Sequence, residues 1–450
     1  MKLNAGLKNS FVKGALTVSL GGLIAKLLGA LYRIPLTNIL KADGLGVYQT
    51  VFPVYALLLT FSSSGVPSAI SKLVSSGEDG EKILARALSF FMPLGLVGTI
   101  ILCLLSVPLS ALQGAPEAKF AYIALSPSVF FVSAIACVRG YFQGKSDMSP
   151  TAFSQIIEQT AKLVFGLALC FVFRADYAVA GAAACFAVTL SEICACLYLM
   201  TRLKKSGVTA KRSCGGYSLR KIIAVVAPIT LSALLLPIAR AFDSFTIVNI
   251  IGEYSSRATA LYGIYTGGVE SVVGVPVAIC YGAAVSALPA ISAATAIGDH
   301  GTAKKKTVEA IGLTAFTAAI FAASIAIFAR TITRILFGGL GAEDAAITAG
   351  LLSFSGINVF LLALTQTLTS ILVGYGKPYA SCVFLGAGIL AKAASEIVLL
   401  KIPSINVFGA LYSDILCYLI AIFGDLVYII YINIYYEKGE KAKCRQNPLK

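Results

Sequence analysis

Two cations interrupt the first long apolar run of the sequence. Lys26 and Arg33 lie seven residues apart within residues 14–40, and seven steps of about 100° bring two side chains to the same helix face. A charge at the bilayer centre costs at least about 2.5 kcal/mol, so such residues usually face a bundle interior or a watery cavity. The pair therefore predicts a site that receives an anion. For Arg33, snorkelling to the membrane interface is the competing interpretation.

Further charges lie inside other apolar stretches. From the cations we expect Lys26, Arg33, Arg139 and Arg240 to line a cavity and bind substrate, and from the acids we expect Asp243, Glu270, Glu158 and Glu396 to neutralise that cavity or couple it to an ion. Three cation–acid pairs stand one helical turn apart: Glu158 with Lys162, Arg240 with Asp243, and Lys392 with Glu396. Opposite charges at this spacing can satisfy each other inside a bundle. We therefore interpret Lys162 and Lys392 as paired lysines.

The composition indicates whether the chain folds in water or in a membrane. Of the 450 residues, 58% are hydrophobic and 13% are charged, whereas about a quarter of a soluble domain is charged. The chain has one histidine, and its eleven cysteines show no paired spacing suited to zinc. No Gly-x-x-x-x-Gly-Lys-Ser/Thr motif is present. We therefore expect an integral membrane protein that is not an enzyme, with no catalytic residue, metal site or bound cofactor.

Hydropathy over windows of about 19 residues predicts an all-α protein with about twelve membrane spans. They fall near 11–40, 46–71, 84–112, 120–142, 151–173, 177–200, 222–250, 258–291, 307–329, 345–374, 378–400 and 406–436. Two connections are minimal, "KADG" and "KIPS", whereas "TRLKKSGVTAKRSCGGYSLRK" is long and basic.

Lysine and arginine predict the orientation. Most of the 36 lysine and arginine residues lie on one side of the membrane. This side carries the N-terminus, the connections that follow the even-numbered spans, and the C-terminus. The opposite side carries Lys41, Lys119, Arg174, Arg257, Arg330, Arg334 and Lys401. By the positive-inside rule both termini are cytoplasmic. The net charge of +15 is then explained by cytoplasmic loops beside anionic lipid and does not call for nucleic acid.

Short repeated motifs predict two lobes of six helices. "PSAIS" at 67–71 matches "PAIS" at 289–292, "YFQGK" at 141–145 matches "YGK" at 375–377, and "VAGA" at 179–182 matches "VFGA" at 407–410. Parallel repeats of this kind are a known transporter plan, with the site between the halves near the midplane. We predict an N-terminal lobe at 1–205, a basic cytoplasmic linker at 206–221, a C-terminal lobe at 222–437 and a basic tail at 438–450.

The motifs "ALYRIP", "RGYFQGKSDMSP", "VSALPAIS", "TLTSILVGYGKPY" and "NVFGALYSDILCYL" resemble, in order and spacing, the stage V sporulation protein B type of polysaccharide transporter. That type belongs to the multidrug/oligosaccharidyl-lipid/polysaccharide exporter superfamily, beside lipid II flippases and MATE drug antiporters. The resemblance implies a V of two six-helix lobes with alternating access. It also implies that cations of the first and neighbouring helices, including Arg33 in "ALYRIP", bind a lipid diphosphate. Many proteins of this type carry two more spans than this chain has room for, which leaves the exact substrate open.

These observations together predict a flippase that moves a polyprenyl-diphosphate-linked sugar, such as lipid II, from the inner to the outer leaflet. The alternative is a cation-coupled drug antiporter of the MATE kind, although the embedded cations would repel cationic drugs. A scaffold for cell-wall or spore-coat assembly is a third interpretation. We expect a monomer in the bacterial plasma membrane, with lipids as partners, coupled to a Na+ or H+ gradient or to the membrane potential.

Overall fold

The computed structural model describes residues 5–60, 65–208 and 217–446 of the chain. Helices cover almost all of these ranges, which contain no strand. Among them, ten helical segments are long and apolar enough to cross a membrane, as judged by length and composition. The prediction of an all-α membrane protein is confirmed.

Sixteen α-helices are described, together with a 3-10 helix at Pro116–Ala118 and a π-helical segment at Ile264–Val269. They are α1 Ala5–Thr60, α2 Val66–Ser75, α3 Gly80–Leu104, α4 Ser106–Leu112, α5 Lys119–Leu125, α6 Ser128–Gly144, α7 Ser149–Val172, α8 Tyr177–Lys205, α9 Leu219–Ala233, α10 Leu235–Gly252, α11 Ala258–Gly263, α12 Glu270–Ala296, α13 His300–Leu336, α14 Ala342–Gly374, α15 Pro378–Leu400 and α16 Phe408–Gln446.

Prolines break two spans that the hydropathy pattern predicts as continuous. The predicted span 84–112 is divided where α3 ends at Leu104, four residues before Pro108. The predicted span 222–250 is divided where α9 ends at Ala233, four residues before Pro237. Proline has no N–H for the carbonyl four residues earlier, so the helical ladder is interrupted at that carbonyl. These spans are therefore two helices each.

The first two predicted spans form a single bent element. Helix α1 contains one non-helical residue, Lys41, with φ of 56° and ψ of −165°. The connection that the sequence predicts as the "KADG" loop is thus reduced to a sharp kink. Its second segment is described to Thr60 and α2 from Val66 to Ser75, and residues 61–64 of the predicted span 46–71 lie outside the described ranges.

The packing contacts divide the chain into two compact units. Unit 1 comprises Met1–Gly267 with Gly339–Gly341, and unit 2 comprises Gly268–Gly338 with Ala342–Lys450. The boundary falls inside the π-helical segment Ile264–Val269. This grouping records packing in one conformation, so the lobe boundary predicted at 206–221 stays a prediction. Residues 209–216 of that linker fall outside the described ranges.

Small residues bring α1 and α7 of unit 1 close together. A side chain at Gly21 would collide with Ala152, and one at Gly29 would press on Gln159. Gly166 lies against the ring of Tyr32. The contact positions rise together along both helices, so α1 and α7 run parallel. This packing places the Arg33 segment of α1 beside the charged segment of α7.

A buried glutamine ties α1, α5 and α10 together within unit 1. The Gln113 amide donates to the carbonyl of Thr50 and to Ser244 Oγ, both at 3.0 Å, and Gln113 Oε1 accepts from Tyr122 Oη at 2.6 Å. Nearby, backbone at Gly46 of α1 packs directly on Gly263 of α11, leaving no room for a Cβ at either residue. Helices from both halves of the sequence are therefore joined at this end of unit 1.

Unit 2 is built from long helices packed on one another. Its core includes Ile291, Leu368, Ile371, Leu372, Tyr375 and Ile429. The Tyr375 hydroxyl also hydrogen-bonds Thr307 at 3.1 Å and Asn433 at 3.2 Å, which joins α13 and α16 at this core. Gly388 of α15 lies against the Cys417 backbone, so α15 and α16 approach closely.

Large apolar side chains cover much of the outside of the described helices. Leu104, Ile327, Leu390 and Phe423 each have more than 70% of their surface exposed. Apolar exposure on this scale is unusual for a protein in water and is expected for helices surrounded by lipid. The described surface therefore agrees with membrane-spanning helices.

Candidate functional site

The best-defined charged contact of unit 1 joins α6 to α7. Arg139 Nη2 lies 3.0 Å from Glu158 Oε2, and Arg139 Nε donates to Ser154 Oγ at 2.9 Å. The side chains of Arg139 and Glu158 are 16% and 19% exposed. Two fixed contacts hold the guanidinium plane in one orientation, and arginine has five N–H donors in all. Its other N–H groups make no hydrogen bond within the described residues.

Glu158, which the spacing along α7 predicts to pair with Lys162, also contacts Arg139 of the facing helix, and its pairing with Lys162 stays a prediction. Glu158 Oε1 also accepts from the Gln159 amide at 3.2 Å. A guanidinium on the facing helix presents a planar fork to the carboxylate, and Ser154 orients that fork. Spacing along one helix cannot reveal such a partner, because Arg139 and Glu158 are 19 residues apart.

The side chain of Lys162 approaches the first helix. Its Nζ lies 5.9 Å from the centre of the Tyr32 ring, which is within the range of a cation–π contact. Arg33, the next residue of α1, is exposed and within electrostatic range of Lys162. The structure thus brings Arg33 and Lys162 into one neighbourhood.

A second acid completes this charged neighbourhood. Glu192 of α8 is 7% exposed and lies within electrostatic range of Glu158, Arg139 and Lys162. The sequence shows Glu192 as an acid in an apolar span but does not predict its role. We call Arg33, Arg139, Lys162, Glu158 and Glu192 the unit 1 charge cluster. Three cations and two acids leave an excess of positive charge when all are ionised.

Uncharged polar groups around this cluster lack hydrogen-bond partners. Tyr32 Oη and Gln155 Oε1 are buried and make no hydrogen bond within the described residues, and Tyr55 Oη is buried beside Ser128. Buried polar atoms are normally satisfied, so unsatisfied ones need a specific explanation. Sequence reasoning missed all three residues, and the only signal was their polarity inside apolar runs.

The roles of the remaining predicted site residues stay predictions. The side chain of Lys26 is outside the described part of the chain. Arg240 and Asp243 lie on α10 of unit 1, where Arg240 is exposed and Asp243 is 4% exposed. Glu270 is half-buried at the start of α12 in unit 2.

The charges of α15 and α16 in unit 2 are enclosed. Lys392 Nζ lies 2.8 Å from Asp414 Oδ1, and both side chains are 8% exposed. Glu396, the partner predicted for Lys392, is completely buried one turn further along α15. The structure pairs Lys392 with Asp414 of the neighbouring helix, and the pairing of Lys392 with Glu396 stays a prediction.

Two other features of the described residues help to locate the site. No group of three or more His, Cys, Asp or Glu residues in these ranges could hold a metal ion. A shallow depression of about 210 Å³ between α5, α7 and α8 is lined by apolar side chains, among them Leu169, Phe173 and Phe186. It contains no charged residue, so this depression is not a candidate anion site.

Residues 11–295 match the family model described as polysaccharide biosynthesis protein. The chain belongs to this family. It is 26% identical over 425 residues to stage V sporulation protein B of Bacillus subtilis (strain 168), an alignment covering 90% of this chain and 80% of that protein. It is 24% identical over 455 residues to the lipid II flippase MurJ of the same organism, covering 94% of this chain and 83% of MurJ.

Solved structures show the same fold. An inward-facing MATE family multidrug transporter of the MOP superfamily superimposes with a TM-score of 0.78 at 15% identity, covering 92% of this chain and 96% of that chain. The lipid II flippase MurJ in an inward closed conformation gives a TM-score of 0.72 at 14% identity, covering 92% of this chain and 87% of that chain.

These relationships confirm the family resemblance drawn from the motifs. The relatives named for an activity are flippases and transporters rather than enzymes, so the expectation of a non-enzyme is confirmed as well. The family member described here is a multi-pass membrane protein with the MOP superfamily fold.

Proposed function

We propose that this protein is a flippase that moves a polyprenyl-diphosphate-linked sugar from the inner to the outer leaflet by alternating access. The observation that carries this proposal is the excess of positive charge in the unit 1 charge cluster, where Arg33 is exposed and Arg139 partly exposed. Membership of the polysaccharide biosynthesis family and similarity to a lipid II flippase support it.

The chemistry of the cluster suits a diphosphate. A diphosphate presents several anionic oxygens, and arginine can donate two parallel hydrogen bonds to such a group. Glu158 and Ser154 fix the Arg139 fork, while Lys162 supplies a point charge nearby. Charged headgroups cannot cross hydrocarbon unaided. The cations would replace the water that the headgroup loses, and the prenyl tail would stay in lipid.

Transport of this kind requires no covalent step and no cofactor. Outward movement of negative charge is favoured by an inside-negative membrane potential, at about 2.3 kcal/mol per charge per 100 mV. Coupling to a Na+ or H+ gradient is a further part of the proposal, with Asp243, Glu270, Glu158 and Glu396 as its candidate acids. We also propose that the flippase works as a monomer surrounded by lipid.

The proposed direction requires cytoplasmic termini, as the positive-inside rule predicts. Single cysteines at Asp43, Gly114 and Ser404, in a background without other reactive cysteines, should be labelled by an impermeant reagent added outside cells. Cysteines at Gly207 and Gly301 should be labelled only after permeabilisation. The reverse pattern would overturn the orientation and with it the direction of transport.

Reconstitution in liposomes tests the transport activity. Purified protein should speed the movement of labelled lipid II or another undecaprenyl-linked sugar between leaflets, compared with protein-free liposomes. Arg174→Ala is the matched control, because it removes a cation that lies over Phe171 outside the charge cluster, and it should transport normally. Gradient-driven efflux of cationic dyes without any lipid movement would overturn the proposal in favour of a drug antiporter.

A further inference from the structure

An acid in unit 2 is buried without an opposite charge. Asp425 of α16 is completely buried. Its Oδ2 accepts a hydrogen bond from Ser381 Oγ of α15 at 3.0 Å, and Ser381 Oγ lies 2.7 Å from Thr369 Oγ1 of α14. Asp425 Oδ1 is buried and has no hydrogen-bond partner. One carboxyl and two hydroxyls from three helices therefore form a small polar site inside an apolar bundle.

The charged groups of the surrounding helices are engaged elsewhere. Lys392 pairs with Asp414, and each lies eleven residues, or about 16 Å along its helix, from Ser381 and Asp425 respectively. On α13, Glu309 pairs with Lys306 at 2.7 Å. The other ionisable side chains near this level are Lys377, Tyr379 and Cys382 at the start of α15 and Tyr428 of α16, while α14 has none after Asp344. None of these forms a hydrogen bond or ion pair with Asp425.

A buried carboxylate that lacks an ion pair is very costly, and such a group normally becomes neutral by taking up a proton. We propose that Asp425, with Ser381 and Thr369, forms a reversible proton-binding site in unit 2. This inference does not depend on the transported substrate. It also adds Asp425 to the acids that the sequence singled out, since the spacing of charges gave it no role.

The two hydroxyls account for both states of the site. With Asp425 ionised, Ser381 donates to Oδ2 and accepts from Thr369. With Asp425 protonated on Oδ2, the carboxyl donates to Ser381, which turns to donate to Thr369. Only O–H bonds form and break, and the proton is exchanged with water. Hydroxyl hydrogens rotate to suit their partners, so the heavy atoms need not move.

The site is close to one end of its helices. Ser381 is three residues after the start of α15 at Pro378, and Thr369 is five residues before the end of α14 at Gly374. At 1.5 Å per residue these separations are about 4.5 and 7.5 Å. A proton can therefore reach the short connection at 375–377 without crossing the bundle. The site would sense the pH of the compartment that this connection faces.

Infrared spectroscopy of the full-length protein in liposomes tests this proposal directly. Wild type should show the C=O stretching band of a protonated carboxyl near neutral pH, and this band should disappear reversibly as the pH is raised. Asp425→Asn should lack one such band, whereas Glu309→Gln, which changes an exposed acid of α13, should keep it. The asparagine side chain has nearly the same shape and can still accept from Ser381.

A second variant, Ser381→Ala, tests the same infrared band without changing Asp425. Ser381→Ala removes the hydrogen bond to Oδ2, so the band should remain but move in frequency. A band unchanged in both variants would overturn the proposal, because the protonated group would then lie elsewhere. Loss of the band on adding Na+ at constant pH would also overturn it, in favour of a metal-ion site.

Discussion

The ion pairs of the two units have the same chemistry but different settings. Arg139 and Glu158 of unit 1 join α6 to α7 with side chains 16% and 19% exposed. Lys392 and Asp414 of unit 2 join α15 to α16 with side chains that are both 8% exposed. The first pair lies beside additional cations and polar atoms that lack partners. The second is enclosed, with the completely buried Glu396 one turn further along α15.

This difference distinguishes an ion pair that orients an arginine for a ligand from an ion pair whose two charges mainly neutralise each other. A buried pair mainly offsets the cost of its own burial, so it contributes little net free energy while the loss of one partner is severe. A partly exposed arginine held by one acid keeps other donors available to a ligand. The comparison therefore supports the proposal that unit 1 binds the anion and that the Lys392–Asp414 pair of unit 2 is structural.

The largest effect on stability is expected at the enclosed pair. Lys392→Met leaves Asp414 buried without its lysine and should reduce the free energy of unfolding by about 3–5 kcal/mol. Glu158→Gln in unit 1 should cost only about 1 kcal/mol, because Arg139 can still be partly hydrated. The temperature at which half of each variant leaves the monodisperse size-exclusion peak measures the difference.

The double variant Lys392→Met/Asp414→Leu is the control for this prediction. It removes both charges of the pair but leaves Glu396 buried one turn away on α15, so it should recover only part of the lost stability. Equal losses for Lys392→Met and Glu158→Gln would contradict the contrast between the two pairs.

The next effect is expected on transport at Arg33. Arg33→Ala should lower the rate of lipid translocation roughly ten- to a hundredfold, the equivalent of about 1.5–3 kcal/mol for a hydrogen bond to a charged group. Arg33→Lys should also transport poorly, because an ammonium lacks the bidentate fork. Under snorkelling, lysine would work almost normally. A well-folded lysine variant with the wild-type rate would therefore remove Arg33 from the site.

Much of the architecture could be predicted from sequence, because a helix that crosses a membrane must be apolar over a long window whichever helices it packs against. The positions of the spans and the embedded charges needed no knowledge of packing. The partners of those charges did need it: Glu158 meets Arg139 on the facing helix, and Asp414 meets Lys392. Spacing along one helix finds contacts one turn away, and nothing in it specifies which helices become neighbours.

The breaks at Leu104 and Ala233 each lie four residues before a proline, but Pro93, Pro276 and Pro289 lie inside continuous helices, so proline positions alone do not predict where a span divides. The proposed proton site at Asp425 could not have been predicted from sequence. Its role depends on Asp425 having no ion pair in the folded protein. An isolated acid in an apolar run has the same sequence signature whether it faces a lysine, a hydroxyl or water. Only the fold shows that Asp425 faces Ser381.

A smaller effect should follow from the close contact of α1 and α11 in unit 1. Gly263→Ala places a methyl group against the Gly46 backbone and should destabilise the protein by about 1–3 kcal/mol, as overpacking does. Gly312→Ala on α13 is the matched control, because no atom lies within 4 Å of its added methyl group. Both are measured by thermal stability in one detergent. A stable Gly263→Ala protein would show that the two helices can separate at little cost.

The smallest effect is expected at two helix starts outside the membrane. Hydrogen bonding to Lys82 lowers the pKa of Asp79 from its ordinary 3.8, and the Thr302 backbone N–H does the same for the pKa of Asp299. A carboxyl with a lowered pKa in the folded state stabilises it above pH 3.8, and this contribution is lost as the pH falls through the folded-state pKa. Protection of the amides at the starts of α3 and α13, measured relative to the intrinsic exchange rate at each pH, should fall only below that pH. Asp79→Asn should abolish this pH response at α3 alone.

Binding of lipids that differ only in charge tests the central comparison most directly. We would measure the affinity for undecaprenyl diphosphate and for neutral undecaprenol in wild type, Arg33→Ala/Lys162→Ala and Lys392→Met/Asp414→Leu. The unit 1 variant should bind the diphosphate at least about tenfold more weakly and the alcohol as wild type does, while the unit 2 variant should match wild type for both. Unchanged diphosphate binding by the unit 1 variant, or an equal loss in the unit 2 variant, would contradict the account.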